Sequence, residues 1–189
     1  MYKNEEMKIL VIIPAYNEEK NIKETVERLK ESAASVDYVV INDCSKDRTE
    51  RILKNLGITY ISLPVNLGIG GAVQTGYKYG VENGYDIAIQ MDGDGQHDPK
   101  YLDTLIAPIV SGTADVVIGS RFLKKEGFQS SRSRRIGIRI LGMLVSICCI
   151  QQIKDVTSGF RAVNKEFMQV FAKDYPQDYP EPESIVAVA

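Results

Sequence analysis

Two aspartates one residue apart, Asp92 and Asp94, carry the most pointed chemistry in this sequence of 189 residues. They follow the apolar run from Ile87 to Met91 and are separated by Gly93. In extended backbone, residues i and i+2 point the same way. Gly93 and Gly95 permit a turn in which both carboxylates and Gln96 converge. Two carboxylates this close repel unless a cation sits between them. A hard divalent ion, Mg2+ or Mn2+, suits their oxygen atoms, and such ions are bound through one or two carboxylates plus a substrate diphosphate. The competing reading is a solvated Asp-Gly turn.

Three other positions have chemistry to offer. Asp43 ends an apolar run, where a carboxylate accepts hydrogen bonds from a base or ribose; the alternative is helix capping, which is the expected role of Ser45 and Asp47. Arg121, after Gly119-Ser120, is placed to clamp a diphosphate, or else is a surface arginine paired with an acid. His97, the single histidine, lies in a polar turn and is read as a bystander rather than a ligand of metal or phosphate. Gly68-Ile69-Gly70-Gly71 is not a dinucleotide fingerprint, because Val73 stands where the third glycine belongs and Pro64-Val65-Asn66 separate it from a strand. These glycines are expected to cap a helix and allow close packing.

The elements that must position these residues alternate between β-branched runs and helical periodicity, which predicts an α/β domain with a largely parallel sheet. Strands are predicted at 9–13 (ended by Pro14), 38–41, 58–63, 87–91 and 116–118. Helices are predicted at 21–33, 47–56, 71–82, 98–110, 134–150 and 165–171. Asp98-Pro99 has the form of a cap followed by proline in the first turn. Ligands of open sheets bind at the carboxyl ends of the strands. The segments from Pro14, Asn42, Asp92 and Gly119 are polar and should share that edge.

The bulk composition, 44% apolar and 25% charged, is that of one folded domain. A net charge of −2 gives no reason to expect nucleic acid. Between Arg121 and Arg139, however, the sequence carries +6, leaving −8 elsewhere, which suggests a local anionic partner. Three cysteines, two of them adjacent, form no disulfide framework and fit a cytoplasmic setting. The polar start, Met1 to Lys8, does not resemble a signal peptide. The longest apolar run, Ile136 to Ile150, contains Arg139 and is shorter than the ~20 residues of a spanning helix. The segment from Arg132 to Ile150 should therefore pack in a core, form a homo-oligomer contact or lie on a membrane surface.

Six pieces in order resemble the inverting glycosyltransferases of family 2, the group with dolichol-phosphate mannose synthases and bacterial polyprenyl-phosphate glycosyltransferases. They are Val-Ile-Ile-Pro-Ala-Tyr-Asn-Glu-Glu from Val11, Val-Ile-Asn-Asp-Cys-Ser-Lys-Asp from Val40, Asn-Leu-Gly-Ile-Gly-Gly from Asn66, Gln-Met-Asp-Gly-Asp-Gly-Gln-His from Gln90, Gly-Ser-Arg-Phe from Gly119 and Asp-Val-Thr-Ser-Gly-Phe-Arg from Asp155. The resemblance implies a nucleotide-diphosphate-binding fold of the GT-A type. It implies a donor such as a UDP- or GDP-linked sugar, a divalent cation, and a lipid phosphate acceptor at the cytoplasmic face of a membrane. By position, Pro14, Tyr16, Glu18 and Asp43 would hold the nucleotide. Asp92, Asp94 and Gln96 would hold metal and diphosphate, with Gly93 and Arg121 beside the donor. Arg135, or its neighbours Arg132 and Arg134, would meet the acceptor phosphate. Asp94, Arg121 and Arg135 are thus the expected catalytic residues. A saccharide hydroxyl acceptor and an inactive nucleotide-sugar-binding module are the alternatives. Asn42 departs from the family's frequent aspartate, and the chain stops at Ala189 where relatives continue. A single catalytic domain over 1–189 that lacks the relatives' C-terminal region is expected.

Overall fold

The computed structural model describes residues 7–33, 35–119, 158–177 and 180. Its centre is a six-stranded sheet of β1 (Ile9–Ala15), β2 (Asp37–Asn42), β3 (Tyr60–Ser62), β4 (Ile87–Gln90), β5 (Val116–Ile118) and β6 (Arg161–Asn164). The order across it is β3-β2-β1-β4-β6-β5. Strands β1 to β4 run parallel, whereas β6 is antiparallel to both β4 and β5. Helices α1 (Ile22–Ser32), α2 (Thr49–Asn55), α3 (Gly68–Glu82), α4 (Leu102–Val110) and α5 (Lys165–Lys173) cover the sheet.

Each face of the sheet has its own core. On one, Val11, Ile13, Val40 and Ile89 meet Val26 and Leu29 of α1 and Leu105 and Ile109 of α4. On the other, Leu10, Ile12, Val39 and Ile41 meet Val73 and Tyr77 of α3 and Met168 and Phe171 of α5. Burial on both faces explains the nearly unbroken apolar runs of β1 and β2. At Gly76 helix α3 lies so close to β1 that a Cβ there would collide with Ile12. Among the described residues, no helix is long and apolar enough to cross a membrane.

Beyond shifts of one or two residues at element ends, as in α2 and β3, the structure departs from the expected elements in four places. First, β1 continues through Pro14 to Ala15. The amide of Met91 donates to Ile12 O (3.0 Å) and that of Asp43 to Ala15 O (2.9 Å), so even-numbered residues of β1 face β4 and odd-numbered ones face β2. The missing N–H of Pro14 therefore points past Gln90, the last paired residue of β4, and costs no ladder bond. Second, α3 begins at Gly68 rather than residue 71. Third, the helix expected at 98–110 opens with a short 3-10 turn, Pro99–Tyr101, capped as anticipated by Asp98, which accepts from Lys100 N. Fourth, β6 was not expected at all. The expected helix at 134–150 lies outside the described residues.

Candidate functional site

Strand order reverses between β1 and β4, the place where open α/β sheets bind ligands. A cleft of about 330 Å³ opens there, lined by Pro14, Ala15, Tyr16, Glu18, Asp43, Asn66, Gly68, Ile69, Ala72, Asp92, Gly93 and Asp94. Pro14, Tyr16, Glu18, Asp43, Asp92, Gly93 and Asp94 were all expected at a ligand site, and the fold brings them together. Gln96 is exposed and outside this lining. Its backbone N–H instead donates to Asp94 Oδ1 (2.9 Å). Arg121, Arg134 and Arg135 lie outside the described residues.

The loops after β1 and β2 are laced to each other. Asn17 N donates to Ser45 Oγ (3.0 Å) and Lys46 N to Asn17 Oδ1 (2.8 Å). Glu18 N donates to the buried Thr49 Oγ1 (2.9 Å), and Glu19 N to Asp47 Oδ2 (3.0 Å). Asp47 also accepts from Thr49 N and Oγ1, but it stands one residue outside the N-cap of α2, which is Arg48 rather than Asp47 or Ser45, so both expected caps serve the loop instead. Asn17 and Cys44 hold positive φ of 57° and 54°, a strained conformation that the surrounding hydrogen bonds fix at the cleft edge. Tyr16, a residue 44% exposed, is thereby presented in the lining of the cleft. The Glu18 carboxylate accepts from Asn21 Nδ2 (2.8 Å).

Asp43 caps a helix, one of its two expected roles, and lies where the other would be exercised. Only 3% exposed, it accepts from Leu67 N at Oδ1 (2.7 Å) and Gly68 N at Oδ2 (2.9 Å), the open amides at the start of α3. It also lines the cleft. The glycines after it serve packing as expected, since Gly70 lies against the backbone of Pro176. Asn42 is structural: its Nδ2 donates to Ser62 Oγ (2.9 Å) and its Oδ1 accepts from Ser45 N (3.3 Å). Replacing Asp43 with asparagine should leave one of the two α3 amides without an acceptor. The expected loss is ~1–3 kcal/mol of stability, read from urea unfolding, with weaker nucleotide binding. An unchanged unfolding midpoint would show that water replaces the cap.

His97 corrects the bystander reading. Its side chain is 5% exposed, and Nε2 lies 3.0 Å from Asp92 Oδ2. The ring stacks on Phe160, with centroids 5.1 Å apart and planes at 14°. Burial raises the Asp92 pKa, but the hydrogen bond and charge of His97, together with Gln90 and the buried Arg161, outweigh it. The carboxyl is held below its usual range. Gly159 lies directly against this group; a Cβ there would sit 2.5 Å from Asp92 Oδ2 and 2.6 Å from Oδ1. Ser158-Gly159-Phe160-Arg161 closes the piece that begins at Asp155, and nothing in the sequence alone gives it a role in the site. The pairing of a histidine with the motif's phenylalanine is legible only once β6 lies beside β4.

Among the described residues, no three His, Cys, Asp or Glu side chains gather as a metal cage. Asp92 and Asp94 instead form a two-carboxylate set. Such a set suits a cation that completes its shell with phosphate and water.

A sheet with a carboxylate-lined cleft at its switch point defines the class, and solved structures identify the fold. Glucosyl-3-phosphoglycerate synthase from Mycobacterium tuberculosis, in complex with Mn2+, UDP-glucose and phosphoglyceric acid, superposes with a TM-score of 0.65 at 20% identity. The match covers 86% of this chain and 58% of that one. Its complex with Mn2+, UDP and glucosyl-3-phosphoglycerate gives 0.66 at 21% identity, with 86% and 58% covered. The fold is GT-A, and the chain spans a little over half the length of these structures. The chain belongs to Glycosyl transferase family 2, whose model matches residues 10–171. Similar curated proteins include the UDP-N-acetylglucosamine--dolichyl-phosphate N-acetylglucosaminyltransferase of Methanococcus voltae, 32% identical over 87% of this chain and 72% of its own length. The undecaprenyl-phosphate mannosyltransferase of Micrococcus luteus is 32% identical over 89% and 71%.

Proposed function

We propose that this chain is the catalytic domain of a glycosyltransferase that moves a sugar, with inversion, from a nucleotide-diphosphate donor to a polyprenyl-type lipid phosphate. The observation that carries the donor half is the convergence of Tyr16, Glu18 and Asp43 with Asp92 and Asp94 in one cleft. Tyr16, exposed in the cleft lining, offers a ring on which the base of a UDP- or GDP-linked sugar would stack. Asp43 and Glu18 offer acceptors for its base and ribose. Asp92 and Asp94 would hold Mg2+ or Mn2+, which supplies charge neutralisation to the leaving diphosphate. Asp94 Oδ1 is engaged by Gln96 N, and no hydrogen bond among the described residues engages Oδ2.

In the transfer, the bond from the anomeric carbon to the donor phosphate breaks as a new bond forms to the acceptor oxygen on the opposite face. A hydroxyl acceptor requires a general base within hydrogen-bond reach. A phosphate monoester has a second pKa of ~6, so its attacking oxygen is already anionic at neutral pH. What it needs is positive charge, and the +6 stretch from Arg121 to Arg139 supplies it, with Arg134 and Arg135 proposed at the acceptor and Arg121 at the diphosphate. The names of the Methanococcus and Micrococcus relatives support the same acceptor class, a polyprenyl-type lipid phosphate; a peripheral position at the cytoplasmic face belongs to the same proposal.

The test is transfer from UDP- and GDP-sugars to a polyprenyl phosphate in liposomes and, in parallel, to saccharide acceptors. Changing Arg134 and Arg135 together to alanine is expected to raise the lipid acceptor's KM by at least ~10-fold, one charge-assisted hydrogen bond being worth ~1.5–3 kcal/mol. Asp155, Glu181 and Glu183 are the carboxylates available as a base for a hydroxyl acceptor, so with a phosphate acceptor Asp155→Asn, Glu181→Gln and Glu183→Gln should each change turnover only modestly. Collapse in one of these amide variants, with donor binding intact, would point to a hydroxyl acceptor.

A further inference from the structure

We propose that His97 is a positioning residue for the transfer reaction: its ring, stacked on Phe160, holds the Asp92 carboxylate in the orientation that receives the donor's cation and diphosphate. The inference rests on the donor-site reading above. An ionised carboxylate only accepts hydrogen bonds, so the ring nitrogen 3.0 Å from Asp92 Oδ2 carries a hydrogen in either protonation state of the imidazole. That bond pins one of the two carboxylate oxygens. The ring in turn has little freedom, because it is buried and lies nearly parallel to Phe160.

Phe160 is itself fixed by backbone. Its N–H donates to Ser158 Oγ (3.3 Å), and its carbonyl accepts from Gly119 N (2.7 Å). Ser158 Oγ donates to Gly119 O (2.6 Å), closing the link between the end of β5 and the start of β6. A continuous path therefore runs from the β5–β6 pair through two stacked rings to a carboxylate in the cleft. Groups that orient a metal-binding side chain through its outer hydrogen bonds typically change metal affinity by 10- to 100-fold when removed. A histidine serving only the core would have no such effect.

The experiment is a Mn2+ titration followed by electron paramagnetic resonance, with UDP and with GDP in parallel. It compares the wild type with His97→Ala, His97→Gln, Phe160→Leu and Asp94→Ala. His97→Ala is expected to weaken Mn2+ binding ~10- to 100-fold. Glutamine, whose amide N–H replaces Nε2–H, should recover most of that loss. Phe160→Leu, which keeps the histidine but removes its stacking partner, should lie between. Affinity within twofold of wild type in His97→Ala, or a glutamine no better than alanine, would overturn the proposal. Should His97→Ala not fold, unaltered Mn2+ binding by Phe160→Leu would do the same. Asp94→Ala separates the two levels: if it binds Mn2+ like the wild type, the donor-site reading fails rather than the role of His97.

Discussion

Asp94→Ala is expected to lower sugar transfer by ~100- to 10,000-fold while leaving the fold intact. A cation beside a developing charge contributes several kcal/mol to the transition state, and each 1.36 kcal/mol is tenfold in rate. Asp94 is the carboxylate of the pair that is freer to make that contribution. It lines the cleft, and its one hydrogen bond among the described residues is the local bond from Gln96 N. Losing that exposed bond should cost only ~0.5–1.5 kcal/mol of stability, so the unfolding transition should barely move as transfer disappears. The decisive measurement is initial rate at saturating donor across a Mn2+ series, alongside thermal unfolding. Near-normal turnover in Asp94→Ala, or in wild type treated with EDTA, would remove the cation from the mechanism.

The parts of this fold that were legible share one property: their structure follows from nearby residues. Strands β1, β2 and β4 are buried on both faces, so their apolar runs stand out, and the polar residues that end them mark the cleft edge directly. Hence Pro14, Tyr16, Glu18, Asp43, Asp92 and Asp94 could be placed together before any coordinates. Strand β6 has only Ala162 and Val163 between Arg161 and Asn164, too few to show alternation. It is a strand because β4 and β5 offer it partners on both sides, a fact written far away in sequence. His97 was misread for the same reason: neither Phe160 nor the β6 register that brings it near is visible from the turn. Asp43 is ambiguous because capping and ligand binding ask the same thing of a carboxylate, and here the residue that caps α3 also lines the cleft.

Gly159→Ala should cripple transfer almost as severely as loss of Asp92, although residue 159 offers no side chain to any substrate. An alanine Cβ at this position would lie 2.5 to 2.8 Å from the oxygens and Cγ of Asp92, closer than carbon and oxygen pack. Something must move. The start of β6 is the stiffer side, since Gly119 N bonds to Phe160 O and Ser158 Oγ to Gly119 O across the strands. The carboxylate is the end of a side chain and yields first, breaking its 3.0 Å contact with His97 and leaving the geometry set for the donor. A misplacement of about 1 Å at a reacting site can cost ~100-fold in rate. The prediction is a loss of that order, with Mn2+ binding weakened and the fold retained. A double-mutant cycle isolates the cause. In an Asp92→Ala background the added methyl meets no carboxylate, so Gly159→Ala should then cost little further activity and no more than a modest change in stability. Additive losses would show that the glycine serves the β6 backbone instead of Asp92.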